Sequence, residues 1–222
     1  MNENLTVIIV VYKTKKELLK NFINQIDANY KILIVDNGFS YNFGEIENLQ
    51  NVSIYRSPVN QGNGDGINIG LRMVKSPYAI YFDIDTIFEN TFLSSIENYI
   101  TKIKSFCILL PNINSSNKSN EEFIEKYDGE GAIMLFNVRE VTNIGSFDTD
   151  YFLYREETDL FYRCKLNDKK IYLLTKIIAQ HDGSSSMEGD NVDLKIVGLR
   201  SWHLMWSYFY FYKKHYSYYY AI

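Results

Sequence analysis

Two carboxylates stand at the end of an apolar run in the middle of the chain. Residues 78–85 read Y-A-I-Y-F-D-I-D, which separates Asp83 from Asp85 by a single residue. In an extended chain, side chains two residues apart point the same way, so these two carboxylates could share one hard cation such as Mg²⁺ or Mn²⁺. The apolar run predicts a buried strand, and open α/β sheets bind ligands outside the carboxyl ends of their strands. The stretch therefore predicts a metal-assisted phosphate site, and the alternative is an ordinary solvated turn.

A second group of candidate residues lies in the stretch F-D-T-D-Y-F-L-Y-R-E-E-T-D-L-F-Y-R at 147–163. Glu156, Glu157 and Asp159 fall in the first turn of a predicted helix, where negative charge stabilises the helix dipole. Aromatic residues precede them directly, and apolar surroundings raise the pKa of a carboxyl group and make its carboxylate a better general base. Both interpretations, helix capping and catalysis, fit the sequence.

A histidine and a polar loop follow the last predicted strand, residues 170–178. A single histidine in this position is more often a surface residue than a ligand, so His181 is a metal-ligand candidate only if partner ligands lie nearby. Residues 184–193 have the composition of a loop that could close over a site.

Four glycines occur between Gly62 and Gly70 in the stretch N-Q-G-N-G-D-G-I-N-I-G at 60–70. Such density predicts a close approach of the backbone to another group, and a plain flexible loop is the alternative. Helical spacing starts at Ile67, which would place the glycines at a helix N-terminus suited to an anion. The glycines follow the third predicted strand instead of the first, and their spacing differs from the dinucleotide-binding fingerprint, so a dinucleotide site is disfavoured.

The remaining elements predict a single α/β domain. Buried strands are expected at residues 5–12, 31–36, 52–56, 106–110 and 132–136, with amphipathic helices at 18–26 and 92–103. Strands that alternate with helices are typical of a mostly parallel sheet flanked by helices. The length of 222 residues suits one sizeable core.

Composition narrows the possible partners and the compartment. A net charge of −4 disfavours nucleic acid as a partner. Cys107 and Cys164 lack C-x-x-C spacing, which favours a reducing cytosol. The apolar stretch at 5–11 is too short for a signal peptide or a membrane span, so we expect a cytoplasmic protein.

The C-terminal segment is unusually aromatic, since eleven of the last 22 residues are Trp, Tyr or Phe. One interpretation is a helix that packs on the domain's own core. The other is a segment that lies in a membrane interface, where Trp and Tyr are favoured and where Arg200, Lys213 and Lys214 would meet anionic lipid. Charge interrupts the segment before it could span a bilayer.

Taken together and in order, these motifs resemble those of the family 2 inverting glycosyltransferases of GT-A fold, in particular the bacterial rhamnosyltransferase-like branch. The resemblance covers about residues 5 to 215. It rests on V-I-I-V-V-Y at 7–12, I-V-D-N-G at 34–38, N-Q-G-N-G-D-G-I-N-I-G-L at 60–71, D-I-D at 83–85, F-D-T-D-Y-F-L-Y-R-E-E-T-D-L at 147–160 and H-D-G at 181–183. Three departures stand out: D-I-D replaces a frequent Asn-Pro-Asp, Glu156-Glu157 replaces the usual Glu-Asp pair, and the spacing from His181 to the following glycine is one residue shorter than in many relatives.

The resemblance implies a donor site, a metal site and a base. Asp83, Asp85 and His181 would hold Mn²⁺ or Mg²⁺. Glu157 would be the catalytic base, and Glu156 and Asp159 are the alternative candidates for this role. The nucleotide-sugar donor would be bound by Val11, Tyr12, Asp36, Asn37, Asn60, Gly62, Gly64, Asn68, Asp83 and Ile84.

The resemblance also implies a domain plan and a role. Residues 1–198 would form the GT-A domain, in which 1–111 bind the nucleotide sugar and 112–198 supply the acceptor and catalytic half. Residues 199–222 would form an aromatic and basic helical segment, either membrane-associated or truncated. The expected reaction moves a sugar from a nucleotide-diphosphate sugar to a hydroxyl of a glycan or lipid-linked oligosaccharide in bacterial surface polysaccharide synthesis. Peripheral attachment to the inner face of an anionic cytoplasmic membrane fits that role, and oligomerisation is left open.

Two other functions compete with this interpretation. A catalytically decayed module would bind nucleotide or glycan without turnover. A sugar nucleotidyltransferase would also use a nucleotide, a metal and carboxylates, but we would expect a Gly- and Lys/Arg-rich loop after the first strand, and V-Y-K-T at 11–14 is not such a loop.

Overall fold

The computed structural model describes residues 2–39, 42–183 and 194–222. The loop predicted to close over the site, at 184–193, lies outside these residues.

A nine-stranded sheet forms the centre of the molecule. Its main path runs in the order β3-β2-β1-β4-β8-β6-β9-β5, and β7 pairs with β9 beside that path. The strands are β1 (Leu5–Val11), β2 (Lys31–Asn37), β3 (Val52–Ser57), β4 (Tyr78–Phe82), β5 (Thr86–Ile87), β6 (Ile108–Ile113), β7 (Phe123–Glu125), β8 (Ile133–Asn137) and β9 (Ile171–His181).

The two halves of the sheet differ in strand direction. Strands β3, β2, β1 and β4 are parallel neighbours, as the alternation of strands and helices predicts. Beyond them β8 is antiparallel to both β4 and β6, while β6 and β9 are again parallel. The α/β fold with a sheet flanked by helices is confirmed, and the sheet is parallel in its first half and mixed in its second. The carboxyl ends of β1, β2 and β4 consequently meet at one edge.

Helices cover both faces of the sheet. The helices are α1 (Lys16–Ile23), α2 (Asn63–Met73), α3 (Phe92–Lys102), α4 (Val138–Asn143), α5 (Glu156–Leu166), α6 (Leu194–His215) and α7 (Tyr218–Ala221), and a 3₁₀ turn spans Gly44–Asn48. One core cluster joins α1 and α3 to the sheet through residues such as Phe22 and Phe92. The other joins α2 and α5 to the opposite face through residues such as Ile67 and Leu160.

The glycines of the N-Q-G-N-G-D-G-I-N-I-G stretch lie mostly inside a helix. Helix α2 begins at Asn63, four residues earlier than the apolar spacing predicts, because Gly64, Gly66 and Gly70 tolerate a helix pressed against the sheet. A Cβ atom on Gly66 would lie 2.6 Å from Val10 Cγ1, and one on Gly70 would lie 2.6 Å from Ile8 Cγ2. The predicted close approach is therefore real, and at these two positions its partner is the sheet.

Helix α6 packs on α5 with one face and leaves the other exposed. Phe211 is buried, and Ser207 is fully buried, where its hydroxyl donates to the carbonyl of Leu153 at 2.8 Å. The opposite face exposes Trp202, Met205 and Trp206 among other apolar side chains. None of the described helices has both the length and the apolar character needed to cross a membrane.

Candidate functional site

A cleft of about 1180 Å³ opens where the carboxyl ends of the parallel strands meet. Its lining comes from the ends of β1, β2 and β4, the N-terminus of α2, the stretch 129–134 that leads into β8, the start of α5 with the turn before it, and the end of β9. Residues of α6 close one side. The cleft thus lies where the sequence predicts a ligand site.

A possible metal site lies on the floor of this cleft. Asp83, Asp85 and His181 each offer one ligand atom, and these atoms lie within 4.8 Å of one another. His181 Nε2 is 3.2 Å from Asp85 Oδ1 and 3.7 Å from Asp83 Oδ2. Two carboxylate oxygens and one imidazole nitrogen form a donor set that fits Mn²⁺ or Mg²⁺.

Strand pairing explains how a residue almost 100 positions away joins the two aspartates. The short strand β5 follows Asp85 directly and pairs antiparallel with the end of β9, so that Thr86 lies opposite His181. His181 is therefore the last residue of β9, three residues beyond the predicted end of that strand. The expected extended backbone through Ile84 is not observed, because the amide of Thr86 bonds back to the carbonyl of Asp83 at 3.2 Å and closes a turn.

The charges of this group are partly balanced within the group itself. Burial raises the pKa of Asp83 to about 6, against the hydrogen bond from Tyr81, which lowers it. The hydrogen bond to Asp85 raises the pKa of His181 to about 9, with further contributions from the charges of Asp83 and Asp85. Near neutral pH the imidazolium thus neutralises part of the negative charge of the two aspartates, which a divalent cation would do more completely.

Glu156 and Glu157 face the same cleft from the first turn of α5. Burial raises the pKa of both, and that of Glu156 reaches about 8 because the neighbouring Glu157 carboxylate adds to the effect of burial. Glu156 is only 6% exposed, and its Oε2 has no hydrogen-bond partner among the described residues. We therefore assign Glu156 as a neutral acid at pH 7, whereas Glu157 has the less buried carboxylate.

A chain of hydrogen bonds links the metal group to the glutamates. The hydroxyl of Tyr81 contacts both Asp83 Oδ1 and Asn63 Oδ1, and Asn63 Nδ2 donates to Glu156 Oε1 at 3.3 Å. Sequence reasoning missed Tyr81 and Asn63. Strand periodicity could have found Tyr81, because it lies two residues before Asp83 and so on the same side of the strand.

Glu130 is a further residue that sequence reasoning missed. It lies in the G-E-G stretch before β8, and its Oε2 is 3.6 Å from Nδ1 of His181. The flanking glycines were its only signal.

The structure places most of the predicted site residues around the cleft. Those that line it are Tyr12, Asn37, Asn60, Gly62, Asp83, Ile84, Asp85, Glu156, Glu157 and His181. Asn37 Nδ2 donates to Asn60 Oδ1 at 3.0 Å and to the carbonyl of Gly62 at 2.8 Å, which fixes the loop before α2.

Five predicted site residues lie behind the cleft lining. Val11 and Asp36 are buried within the sheet, and Gly64 packs against Phe147. Asn68 bonds through its side chain to the backbone amide and carbonyl of Phe147, at 2.9 and 2.8 Å. These contacts are structural, and they explain why Asn and Gly occur at these positions of the motif.

Asp159 is the fifth of these residues and faces away from the cleft. It is fully buried and accepts hydrogen bonds from Arg163 Nε at 2.7 Å and Lys214 Nζ at 2.6 Å, while His215 Nε2 lies at 2.6 Å. Burial would raise its pKa, but the hydrogen bonds from Lys214, Arg163 and His215 and the charge of Arg163 outweigh burial and lower it. Its carboxylate therefore joins α5 to α6.

Comparison with known proteins agrees with this geometry. Residues 6–173 match the family described as glycosyl transferase family 2. No curated protein matches the chain.

Several solved structures share the fold at low sequence identity. GalNAc-T7 with UDP, GalNAc and Mn²⁺ has a TM-score of 0.67 at 14% identity, over 80% of this chain and 43% of that chain. TarS 1–349 of S. aureus in complex with UDP has a TM-score of 0.63 at 16% identity, over 80% of this chain and 60% of that chain. The mannosyltransferase PcManGT from Pyrobaculum calidifontis, with GDP-Man and Mn²⁺, has a TM-score of 0.69 at 12% identity, over 94% of this chain and 64% of that chain. The chain thus spans 43 to 64% of the length of these proteins.

The buried acid Glu156 predicts a pH-dependent stability. The folded state holds the Glu156 proton up to a pH of about 8, whereas the unfolded state releases it near an ordinary carboxyl pKa. Between these values the unfolded state binds fewer protons, so the stability is largest below the unfolded pKa and is lost as the pH rises through the folded pKa. Glu156→Gln has no proton to lose and should be more stable than the wild type at pH 8, by about 1–3 kcal/mol, and nearly equal at pH 5.

Urea unfolding at the two pH values in EDTA measures this difference. Glu45→Gln is the matched control, since its side chain is 93% exposed and should give no pH-dependent gain. An equal gain for Glu156→Gln at both pH values would attribute the effect to packing and contradict the protonation of Glu156.

Proposed function

Since the chain belongs to glycosyl transferase family 2, we propose that it is a metal-dependent inverting glycosyltransferase. It moves a hexosyl or deoxyhexosyl group from a nucleotide-diphosphate sugar to a hydroxyl of a glycan or a lipid-linked acceptor. The observation that carries the proposal is that one cleft is lined both by the group Asp83, Asp85 and His181 and by the buried pair Glu156 and Glu157. The place in bacterial surface polysaccharide synthesis and the rhamnosyltransferase-like branch rest on the sequence motifs.

The donor lies against the first half of the sheet. Tyr12, Asn37 and Asn60 border the pocket for the nucleoside, and the positive end of the α2 dipole at Asn63, which also lines the cleft, favours the diphosphate. UDP and GDP-mannose in the similar structures are consistent with a nucleotide of this size, and both belong among the first donors to test.

Asp83, Asp85 and His181 would hold Mn²⁺ or Mg²⁺ beside that diphosphate. The cation, when bound, stabilises the negative charge that develops on the leaving nucleoside diphosphate. His181 must be neutral to ligate, so its proton has to leave, and Glu130 lies on the Nδ1 side of the ring, where it can orient the imidazole.

Glu157 acts as the general base. Its carboxylate takes the proton of the acceptor hydroxyl as the acceptor oxygen forms a bond to the anomeric carbon of the sugar. The bond from that carbon to the diphosphate oxygen breaks on the opposite side, and its electron pair leaves with the nucleoside diphosphate. One displacement of this kind inverts the configuration. Burial of Glu157 raises its pKa, which makes the carboxylate a stronger base.

The exposed face of α6 suits a membrane surface as the site of the acceptor. This outer face of α6, formed by Trp202, Met205, Trp206, Phe209 and Lys213, combines interfacial aromatic residues with one cation. Lys214, in contrast, turns inward to Asp148 and Asp159. We therefore expect the aromatic residues to dominate attachment to the inner face of the cytoplasmic membrane, and a single lysine contributes only about 1 kcal/mol.

Asp85→Ala tests the metal site. The carboxylate lies at a strand end beside the cleft, so the variant should fold but lose Mn²⁺-dependent binding of nucleotide. At about 100 times Kd, UDP or GDP with Mn²⁺ should stabilise the wild type by about 2.7 kcal/mol, which a thermal-shift assay detects. Asp128→Ala is the control, because this exposed carboxylate lies two residues before Glu130 in the sequence. Its loss should leave the Mn²⁺-dependent thermal shift unchanged. An undiminished Mn²⁺-dependent shift in Asp85→Ala would remove the metal assignment.

Glu157→Gln tests the base. The substitution is nearly isosteric, so donor binding should persist while transfer falls by about two to four orders of magnitude. Glu156→Gln should lose less, since Glu156 is already neutral at pH 7. The activity of both variants is measured as release of nucleoside diphosphate from UDP- and GDP-sugars with Mn²⁺, with and without an acceptor extract. A wild type that binds donor without any turnover would identify a decayed binding module.

Liposome co-sedimentation tests the outer face of α6. The double variant Trp202→Ser, Trp206→Ser should reduce the fraction bound to anionic liposomes several-fold. Binding of the wild type should depend only weakly on salt, because aromatic residues dominate the attachment. The control replaces Phe39 and Tyr55, two exposed aromatics at the β3 edge of the sheet, with serine and should bind like the wild type. Equal sedimentation of the folded tryptophan variant and the wild type would refute a membrane role for this face.

A further inference from the structure

The turn directly before the catalytic helix has an unfavourable backbone conformation. Tyr154 has a φ of 70° and Arg155 a φ of 64°, so two consecutive residues with side chains adopt the left-handed region. Such a conformation costs free energy and persists only where surrounding contacts enforce it. Arg155 is the N-cap of α5, so the direction in which Glu156 and Glu157 enter the cleft depends on this turn.

The contacts that enforce the turn come from α6. Five consecutive residues of the turn each contact a different residue of that helix. Two are ring contacts: Tyr151 with Tyr210 at 4.9 Å and Phe152 stacked on His203 at 4.6 Å between ring centres. Two are hydrogen bonds: the carbonyl of Leu153 accepts from Ser207 at 2.8 Å, and the hydroxyl of Tyr154 accepts from Arg200 at 3.0 Å. The fifth is a cation–π contact, in which the guanidinium of Arg155 lies 3.7 Å from the ring centre of Tyr208.

Arg155 is held by rings more than by hydrogen bonds. Its guanidinium lies over Tyr208 and, at 5.2 Å, over Phe211. In the part of the chain that the structure describes, its buried Nε has no hydrogen-bond partner. Stacking of a planar cation on an aromatic face is therefore the main contact that fixes this residue.

The rotation of α6 against α5 is fixed at a second point. Lys214 and His215, at the end of α6, contact the buried carboxylate of Asp159, which lies two residues after Glu157. The helix thus touches the catalytic segment both before and after its two glutamates.

We propose that Tyr208 of α6 is a positioning residue for the general base: by stacking on Arg155 it holds the left-handed turn and thereby aims Glu157 into the cleft. The identity of Glu157 as the base rests on the proposed function. The inference goes beyond it, because it assigns to the C-terminal helix a part in catalysis that is separate from membrane attachment.

Hydrogen–deuterium exchange of the full chain measures the turn directly. Tyr208→Ala should raise amide exchange in peptides that cover 151–158 by about threefold to thirtyfold, the range expected when a cation–π contact is lost. Peptides from β2 and β3 should not change. Tyr208→Phe keeps the ring and should behave like the wild type. Arg155→Lys keeps the charge but loses the planar face, so it should also raise exchange in the same peptides. This variant replaces Tyr208→Ala in the test if Tyr208→Ala does not fold.

Tyr55→Ala is the matched control, since Tyr55 is 37% exposed against 44% for Tyr208 and lies on the far edge strand. Unchanged exchange at 151–158 in both Tyr208→Ala and Arg155→Lys would overturn the proposal. So would faster exchange in Tyr208→Phe equal to that in Tyr208→Ala.

A kinetic measurement separates positioning from plain stability. UDP-glucose, UDP-GalNAc and GDP-mannose are supplied with Mn²⁺, and the donor that the wild type turns over fastest is used. Tyr208→Ala should lower kcat by about 10- to 100-fold with little change in KM, and Tyr208→Phe should restore it. A normal kcat in Tyr208→Ala would overturn the positioning role. A wild type inactive on all three donors would count against the proposed function, while the exchange data would still decide whether Tyr208 holds the turn.

Discussion

Crowding of negative charge in one cleft is the constraint on which the rest of the structure depends. Asp83, Asp85, Glu156 and Glu157 all line the same cavity, and two of them are almost fully buried. Like charges at short range disfavour ionisation, and burial disfavours it further. The protein meets this constraint with a proton on Glu156, the imidazolium of His181, and hydrogen bonds from Tyr81 and Asn63. A cation and an anionic diphosphate that arrive together would complete the same balance, which ties donor binding to metal binding.

The fold supplies this crowding through strand ends and one helix. Parallel strands bring the end of β4 to the edge where β1 and β2 also end, and the β5–β9 pairing adds His181 from the mixed half. The glycines of α2 let that helix lie close to the sheet, so that Asn63 reaches both Tyr81 and Glu156. Each side chain of the site is thus placed by a backbone contact made elsewhere.

The sequence predicts the strands well, and it predicts that Asp83 and Asp85 lie together at a strand end, for physical reasons. Runs such as residues 5–11 and 78–82 are apolar because both faces of the strand are buried, and that signal is local. The start of α2 is less predictable, because glycine has low helix propensity and tertiary packing overrides it here. The roles of Glu130 and Asp159 depend on residues 51 and 55 positions away, His181 and Lys214, and no local pattern encodes such distances.

The C-terminal aromatic segment shows why composition alone left two interpretations open. One face of α6 packs on the domain, as a core helix does, and the other exposes Trp202 and Met205, as an interfacial helix does. The inner face therefore fits the first interpretation, and the membrane interpretation concerns the outer face alone. Because the inner face contacts the turn that carries Arg155, a lipid surface bound to the outer face would contact the same helix for which we propose a role in positioning Glu157. If both proposals hold, this one helix would bring an acceptor at the membrane within reach of the proposed base.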